Sequence, residues 1–148
     1  MYQRILIATD GSELATKAVQ HGTKLASTLG ASVVFVTVTR IWSALKMATD
    51  MESGELEAIK AYEAAAARSA EAILKACAEH ATSQGVSSTL RHVSDYKPAE
   101  GILKIAKEDQ CDLIVMATHG RRGLEKMMIG SETAKVLAMS ATPVLVLH

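Results

Sequence analysis

Ala117-Thr118-His119-Gly120, nine further residues and then Gly130-Ser131 form the stretch whose residue types and spacing could do chemistry. A strongly apolar run over 113–116 leads into it, and a helical pattern over 132–140 leads out. Strand, glycine-bearing loop and helix start are the parts with which α/β proteins hold a phosphate. Glycine lets the backbone approach an anion, and the free N–H groups of a helix N-terminus point at it. Ser131 adds a hydroxyl and an N–H where the anion would sit. His119, Arg121, Arg122 and Lys126 make the intervening loop cationic, although the two arginines read equally well as solvated surface. This is not a Walker loop, because GxxxxGK[ST] is absent and no Lys precedes Ser131. Nor is it a dinucleotide turn, because Asp10-Gly11-Ser12 brings a single glycine after the first strand. HExxH, GxSxG and close Cys/His clusters are absent, and the five histidines are dispersed, so no protein metal site is expected.

The elements that must position this loop alternate along the chain. Residues 5–8 are a short apolar run, as a strand covered on both faces requires, and Asp10-Gly11-Ser12 breaks it. Ser12 or Asp10 could cap the helix that follows, whose Ala15, Ala18, Val19, Gly22, Leu25, Ala26 and Leu29 recur at helical spacing up to Gly30. Residues 33–38 are a second buried strand. Residues 39–55 fit neither template and read as a functional loop carrying Trp42, Met47 and Met51. A long Ala-rich helix follows, with Ile59, Tyr62, Ala66, Ala70, Ile73, Cys77 and Ala81 as one buried stripe and Gly85 closing it. Arg91 and His92 interrupt the third strand, 90–93, which suits a sheet edge. Pro98 opens a third helix with Ala99, Ile102, Leu103 and Ala106 on its core face. Residues 112–117 and 144–147 are the fourth and fifth strands, with Val136 and Leu137 on the helix between them.

Five apolar strands alternating with four helices predict a parallel doubly wound sheet. Ligands of such sheets bind at the carboxyl ends of the strands, where strand order reverses. An order of 3-2-1-4-5 puts the first and fourth strands together there, so Thr9-Asp10-Gly11-Ser12 faces the loop from Ala117 to Ser131.

Composition narrows the function classes. The 148 residues suit one domain, 1–148, and sixteen basic residues cancel sixteen acidic ones, which gives no electrostatic case for nucleic acid or an acidic membrane. Tyr2, Phe35, Trp42, Tyr62 and Tyr96 are scattered and make no base-stacking platform. Cys77 and Cys111 form no CxxC and read as reduced, packed thiols. No apolar run approaches ~18 residues and the start lacks a signal-peptide shape, so a soluble cytoplasmic protein is expected.

The chain resembles a single-domain universal stress protein over nearly its whole length. The resemblance is carried by Arg4-Ile5-Leu6-Ile7-Ala8-Thr9-Asp10-Gly11-Ser12, Pro98-Ala99-Glu100, Asp112-Leu113-Ile114-Val115-Met116-Ala117-Thr118-His119-Gly120-Arg121, Gly130-Ser131 and Thr142-Pro143-Val144-Leu145-Val146. It implies the adenine-nucleotide alpha hydrolase-like fold. The ATP-binding branch of the family resembles G-x-x-G, nine residues, G-[ST]; the spacing is intact here and Ala117 alone departs. With φ below zero, a methyl at 117 is tolerated and its backbone still reaches a ribose. With φ above zero, Ala is strained by roughly 1 kcal/mol or more. A strand end favours the first.

The resemblance also assigns roles. Ala8, Thr9 and Asp10 would border the adenosine, with Asp10 near the ribose, and Val38 would offer backbone groups to adenine. Met116 and Ala117 would line adenine and ribose. Gly120, Gly130, Ser131 and the N–H groups of Glu132 and Thr133 would hold phosphate, beside His119 and Arg121. Asp10 reads equally as a cap, and Val38 and Met116 as core. The carboxylate of Glu132 suits a helix dipole, or would repel phosphate unless Mg²⁺ lay between them. ATP, with Mg²⁺ as an optional companion, is the expected ligand. A homodimer through Val144–Leu147 is expected too, since pairing would cover that edge. Three function classes follow: a nucleotide-dependent stress regulator with an unidentified protein partner, a slow ATPase or self-phosphorylating enzyme using Ser131, Thr118 or Thr133, and a nucleotide-free dimeric interaction module.

Overall fold

The computed structural model describes residues 1–39, 53–94, 97–120 and 128–148, with 53–56 described by their helix backbone alone. Its strands are β1 (Arg4–Ala8), β2 (Ser32–Thr39), β3 (Ser88–Ser94), β4 (Leu113–Ala117) and β5 (Val144–Leu147). Its helices are α1 (Glu13–Leu29), α2 (Ser53–Ser83), α3 (Pro98–Glu108) and α4 (Ser131–Met139). The five strands form one parallel sheet in the order β3-β2-β1-β4-β5, as the sequence predicts.

Alternation of side chains along each strand divides the core into two layers. Ile5, Ile7, Phe35 and Val115 point to one face, where α1 and α2 add Ala18, Val19 and Leu74. Leu6, Val34, Val36 and Ile114 point to the other, against Ile102 and Ile105 of α3 and Val136 of α4. Ile7 pairs with Phe35 on one side and Val115 on the other, and all three are fully buried. This is why the strands read as continuous apolar runs rather than alternating ones.

Local signals set the element boundaries. The Ser12 hydroxyl caps α1 by accepting the Ala15 N–H at 3.2 Å, while Asp10 accepts the Ser12 N–H at 2.9 Å, so both candidates take part in the turn. Gly30 ends α1 in the left-handed conformation with φ 67°. At the opposite end of the sheet, Asp112 accepts the N–H groups of Gln3 and Arg4 at 2.8 and 3.1 Å and locks β4 to the start of β1. Both ends of the sheet order are edges. On β3, Arg91 pairs with Glu108 and Asp109. On β5, all four residues are half-buried.

The long helix differs from its expected stripe. Ile59, Ala70, Cys77 and Ala81 are buried, but Leu74 rather than Ile73 completes the stripe. Tyr62 is 45% exposed. The N-terminal part of α2 therefore leaves an open space over the end of β2. Burial pushes the Cys77 and Cys111 thiols up to about 11, consistent with packed, protonated side chains.

At Gly22, α1 packs tightly on the sheet. A Cβ there would lie 2.6 Å from Ile7 Cδ1 and 3.0 Å from Ile7 Cγ1, and Ile7 is locked in the core. Gly22→Val is expected to destabilise the fold by about 1–3 kcal/mol through overpacking, read as a lowered urea midpoint at unchanged m-value.

Candidate functional site

The carboxyl ends of β1 and β4 lie side by side, and their loops meet. A Cβ on Gly120 would fall 2.1 Å from Asp10 Oδ2. The β1 loop and the β4 loop thus come together here, and a side chain at 120 would have to displace the Asp10 carboxylate.

Past the last rung of β1, the β2 backbone is available to a ligand. Val36 O accepts the Thr9 N–H at 3.0 Å, so Val36 directs its backbone groups toward β1. Val38, two residues on, directs its own the same way, beyond where β1 ends. Between them the buried Thr37 hydroxyl donates to Thr9 O at 2.9 Å and fixes the start of the β1 loop. Asp10, Val38 and Thr39 on the sheet side, with Tyr62, Ala66 and Ser69 of α2, line a cavity of about 370 Å³. That volume lies in the range of small-molecule sites. Its wall of small residues with a tyrosine at the rim suits a flat ring.

The other end of the site is the start of α4. Gly130 caps the helix with φ −60° and ψ 153°, without a side-chain cap, and the first helical bond is Ala134 N–H to Gly130 O at 2.9 Å. The N–H groups of Ser131 and Thr133 precede that bond and belong to the donors that a helix leaves without an intrahelical partner. Gly130 is not selected for its conformation, which any residue can adopt. It is selected for space, since its Cβ would lie 3.1 Å from Thr118 O.

Ala117 is buried at the end of β4, paired with Leu147. Among the described residues the one non-glycine positive φ is at Gln110, so Ala117 has ordinary strand geometry and its methyl is tolerated. Its carbonyl accepts the buried Thr133 hydroxyl at 3.0 Å.

Asp10 and Val38 line the cavity, Gly120 approaches Asp10 from the β4 loop, Gly130, Ser131 and Thr133 stand at the helix end, and His119, beside Gly130, is half-buried. Ala8 and Thr9 end the central strand beside them. Met116 is in the core layer of α3 and α4, on the opposite face of the sheet from α2. Glu132 turns its carboxylate to α3, where Oε2 accepts the Ala99 N–H at 2.9 Å. Arg121, Arg122 and Lys126 lie outside the described residues, as do Trp42, Met47 and Met51. The described residues hold no group of His, Cys, Asp and Glu suited to a metal ion. Also among them, no helix is long and apolar enough to cross a membrane.

Sequence reading alone missed Thr37, Tyr62 and Ser69. Thr37 had a signal, as a lone hydroxyl within an apolar strand. Tyr62 and Ser69 had none, because helical periodicity does not say where a helix outruns its sheet.

The universal stress protein family model matches residues 1–148. Universal stress protein MJ0531 of Methanocaldococcus jannaschii is 31% identical over 146 residues, 99% of this chain and 82% of that protein. The universal stress protein UspA of Lactobacillus plantarum, 19% identical, shares the fold at a TM-score of 0.85 over 99% of this chain and 98% of its own. A universal stress protein solved in complex with cAMP is 26% identical, with a TM-score of 0.72 over 99% and 96% of the two chains.

Because Ala117 already has strand geometry, restoring a glycine there gains nothing. Ala117→Gly is expected to lower stability by about 0.5–1 kcal/mol through backbone entropy, read by urea unfolding.

Proposed function

This chain belongs to the universal stress protein family, and we propose that it is a cytoplasmic stress-response regulator that binds an adenine nucleotide between the carboxyl ends of β1 and β4. The observation that carries the reading is the contact of Gly120 with Asp10. It joins the cavity under α2 to the uncapped start of α4, a base-sized space at one end and anion donors at the other. In this reading adenine sits on the α2 wall near Tyr62 and takes hydrogen bonds from the Val38 backbone. Asp10 accepts from the ribose. The phosphate sits against Gly130, whose own N–H is held by Thr118 O, and takes the N–H groups of Ser131 and Thr133, with His119 alongside and Ala117 bordering the ribose. ATP, with or without Mg²⁺, is the ligand the sequence expects, and the cAMP complex of a related structure supports widening the class to nucleotides with one phosphate.

Nucleotide occupancy would then be sensed by a protein partner, and the active species would be a homodimer paired through β5. Support for pairing is the half-buried β5 edge, whose unpaired backbone groups a two-fold axis would satisfy. Light scattering at micromolar concentration is expected to give a dimer mass; a clean monomer would count against β5 pairing.

Mass spectrometry of the purified protein should identify a bound adenine nucleotide, and calorimetry with ATP, ADP and AMP, with and without Mg²⁺, should measure its affinity. Gly130→Asp crowds Thr118 O and puts a carboxylate at the anion end. It is expected to weaken binding at least about tenfold, the worth of one lost charge-assisted hydrogen bond. No binding by the parent protein at millimolar nucleotide would defeat the reading.

A further inference from the structure

Two threonine hydroxyls end the pairing of β1 with β2. The backbone N–H and C=O of one strand residue point to the same neighbouring strand, and the next residue's point to the other. Thr9 N–H donates to Val36 O at 3.0 Å, so Thr9 O also faces β2. A ladder that continued would run from Val38 N–H to Thr9 O and then from Gly11 N–H to Val38 O. Neither rung is made. The Thr37 hydroxyl donates to Thr9 O at 2.9 Å in place of the first. The Thr9 hydroxyl accepts the Gly11 N–H at 3.2 Å in place of the second, as Gly11 turns the chain away with φ 77°. Thr37 and Thr9 are both buried, so the substitution is made inside the fold rather than by water. Val38 is half-buried on the cavity wall. Among the described residues no backbone group meets its N–H or its C=O on the β1 side.

We propose, resting on the nucleotide reading of this site, that Thr37 is a positioning residue that sets the preference for a 6-aminopurine by keeping the Val38 N–H out of the sheet. One donor and one acceptor on the same residue match the N1 and 6-amino group of adenine. They mismatch hypoxanthine in the same pose, where N1 carries a proton and position 6 an acceptor. A site built to pair polar groups rejects a ligand that leaves them unpaired. Without the Thr37 hydroxyl, the buried Thr9 carbonyl lacks its donor, and leaving it unmet is costly. The Val38 N–H is the donor that the ladder geometry brings to it. The strands then zip by one rung, and the base loses the group that reads N1. Thr37 acts through Thr9 and Val38, without touching the base itself.

The test combines calorimetry of AMP and IMP with residue-resolved amide exchange at Val38, on the full chain, Thr37→Val and Thr37→Ser. The parent is expected to prefer AMP about tenfold or more, the worth of one well-paired hydrogen bond. Thr37→Val removes the hydroxyl at nearly constant shape. It should weaken AMP about tenfold and reduce the preference over IMP to about twofold or less. Thr37→Ser keeps the donor and should retain both the affinity and the preference. In the ligand-free parent the Val38 amide should exchange fast and slow down when AMP is added. In ligand-free Thr37→Val it should already be slow, an effect that general loosening of the fold would not produce. Slow exchange at Val38 in the ligand-free parent would overturn the proposal without any variant. So would equal weakening of AMP and IMP in Thr37→Val, or no preference between them in the parent; all three outcomes leave nucleotide binding standing. Failure of the parent to bind either nucleotide would overturn the nucleotide reading and the base preference together.

Discussion

The site depends on how the end of β4 holds the start of α4. Thr118 O accepts the Gly130 N–H at 2.7 Å, and Ala117 O accepts the Thr133 hydroxyl at 3.0 Å. Together they close the loop that begins at Thr118 and bring the helix start back to the strand that launched it. Closing a loop of this length costs entropy that grows only slowly with its size. Two hydrogen bonds, one of them buried, are therefore enough to fix the ends whatever the intervening residues do. At the return residue a Cβ would lie 3.1 Å from Thr118 O, a tight contact that glycine avoids.

The same closure accounts for the departure at Ala117. A glycine is needed where the backbone adopts positive φ or where another atom occupies the Cβ position. Gly120 and Gly130 come near the second condition, with Asp10 Oδ2 at 2.1 Å and Thr118 O at 3.1 Å from their Cβ positions. Position 117 meets neither, since it is a rung of β4 paired with Leu147 and carries its carbonyl to Thr133. Of the small residues spaced around the loop, the two that the geometry demands are present.

Much of the fold was legible because buried parallel strands announce themselves as unbroken apolar runs, and the glycines, Ser12 and Pro98 mark the helix ends. Periodicity alone does not fix strand order; the expected order, 3-2-1-4-5, is the one found, and it sets the Asp10 loop beside the glycine loop. The β3 edge was legible from Arg91 and His92, which a central strand would not tolerate. What stayed hidden was tertiary. Helical spacing placed Tyr62 on a buried stripe, and only the position of α2 beyond the sheet turns that stripe into a cavity wall. Glu132 was legible as a first-turn carboxylate but not as the cap of a different helix. Nothing in the spacing of Ala99 and Glu132, 33 residues apart, links them.

The hydroxyls around the anion end bear on whether such a site would hold a nucleotide or turn it over. Three of them could in principle accept a phosphoryl group: those of Thr118, Ser131 and Thr133. The Thr133 hydroxyl is buried and donates to Ala117 O, so its proton already serves the loop closure. Thr118 is 3% exposed and its hydroxyl lies 3.2 Å from His119 Nδ1, a pair packed at the strand end. Releasing either to attack a phosphorus would loosen the contacts that position the phosphate. Ser131 is exposed, and the neighbouring Glu132 carboxylate accepts from the Ala99 N–H and Lys135 Nζ. A general base must reach the proton that it removes. Among the described residues, the Thr133 hydroxyl and the Thr118 carbonyl are thus spent on holding the loop closed.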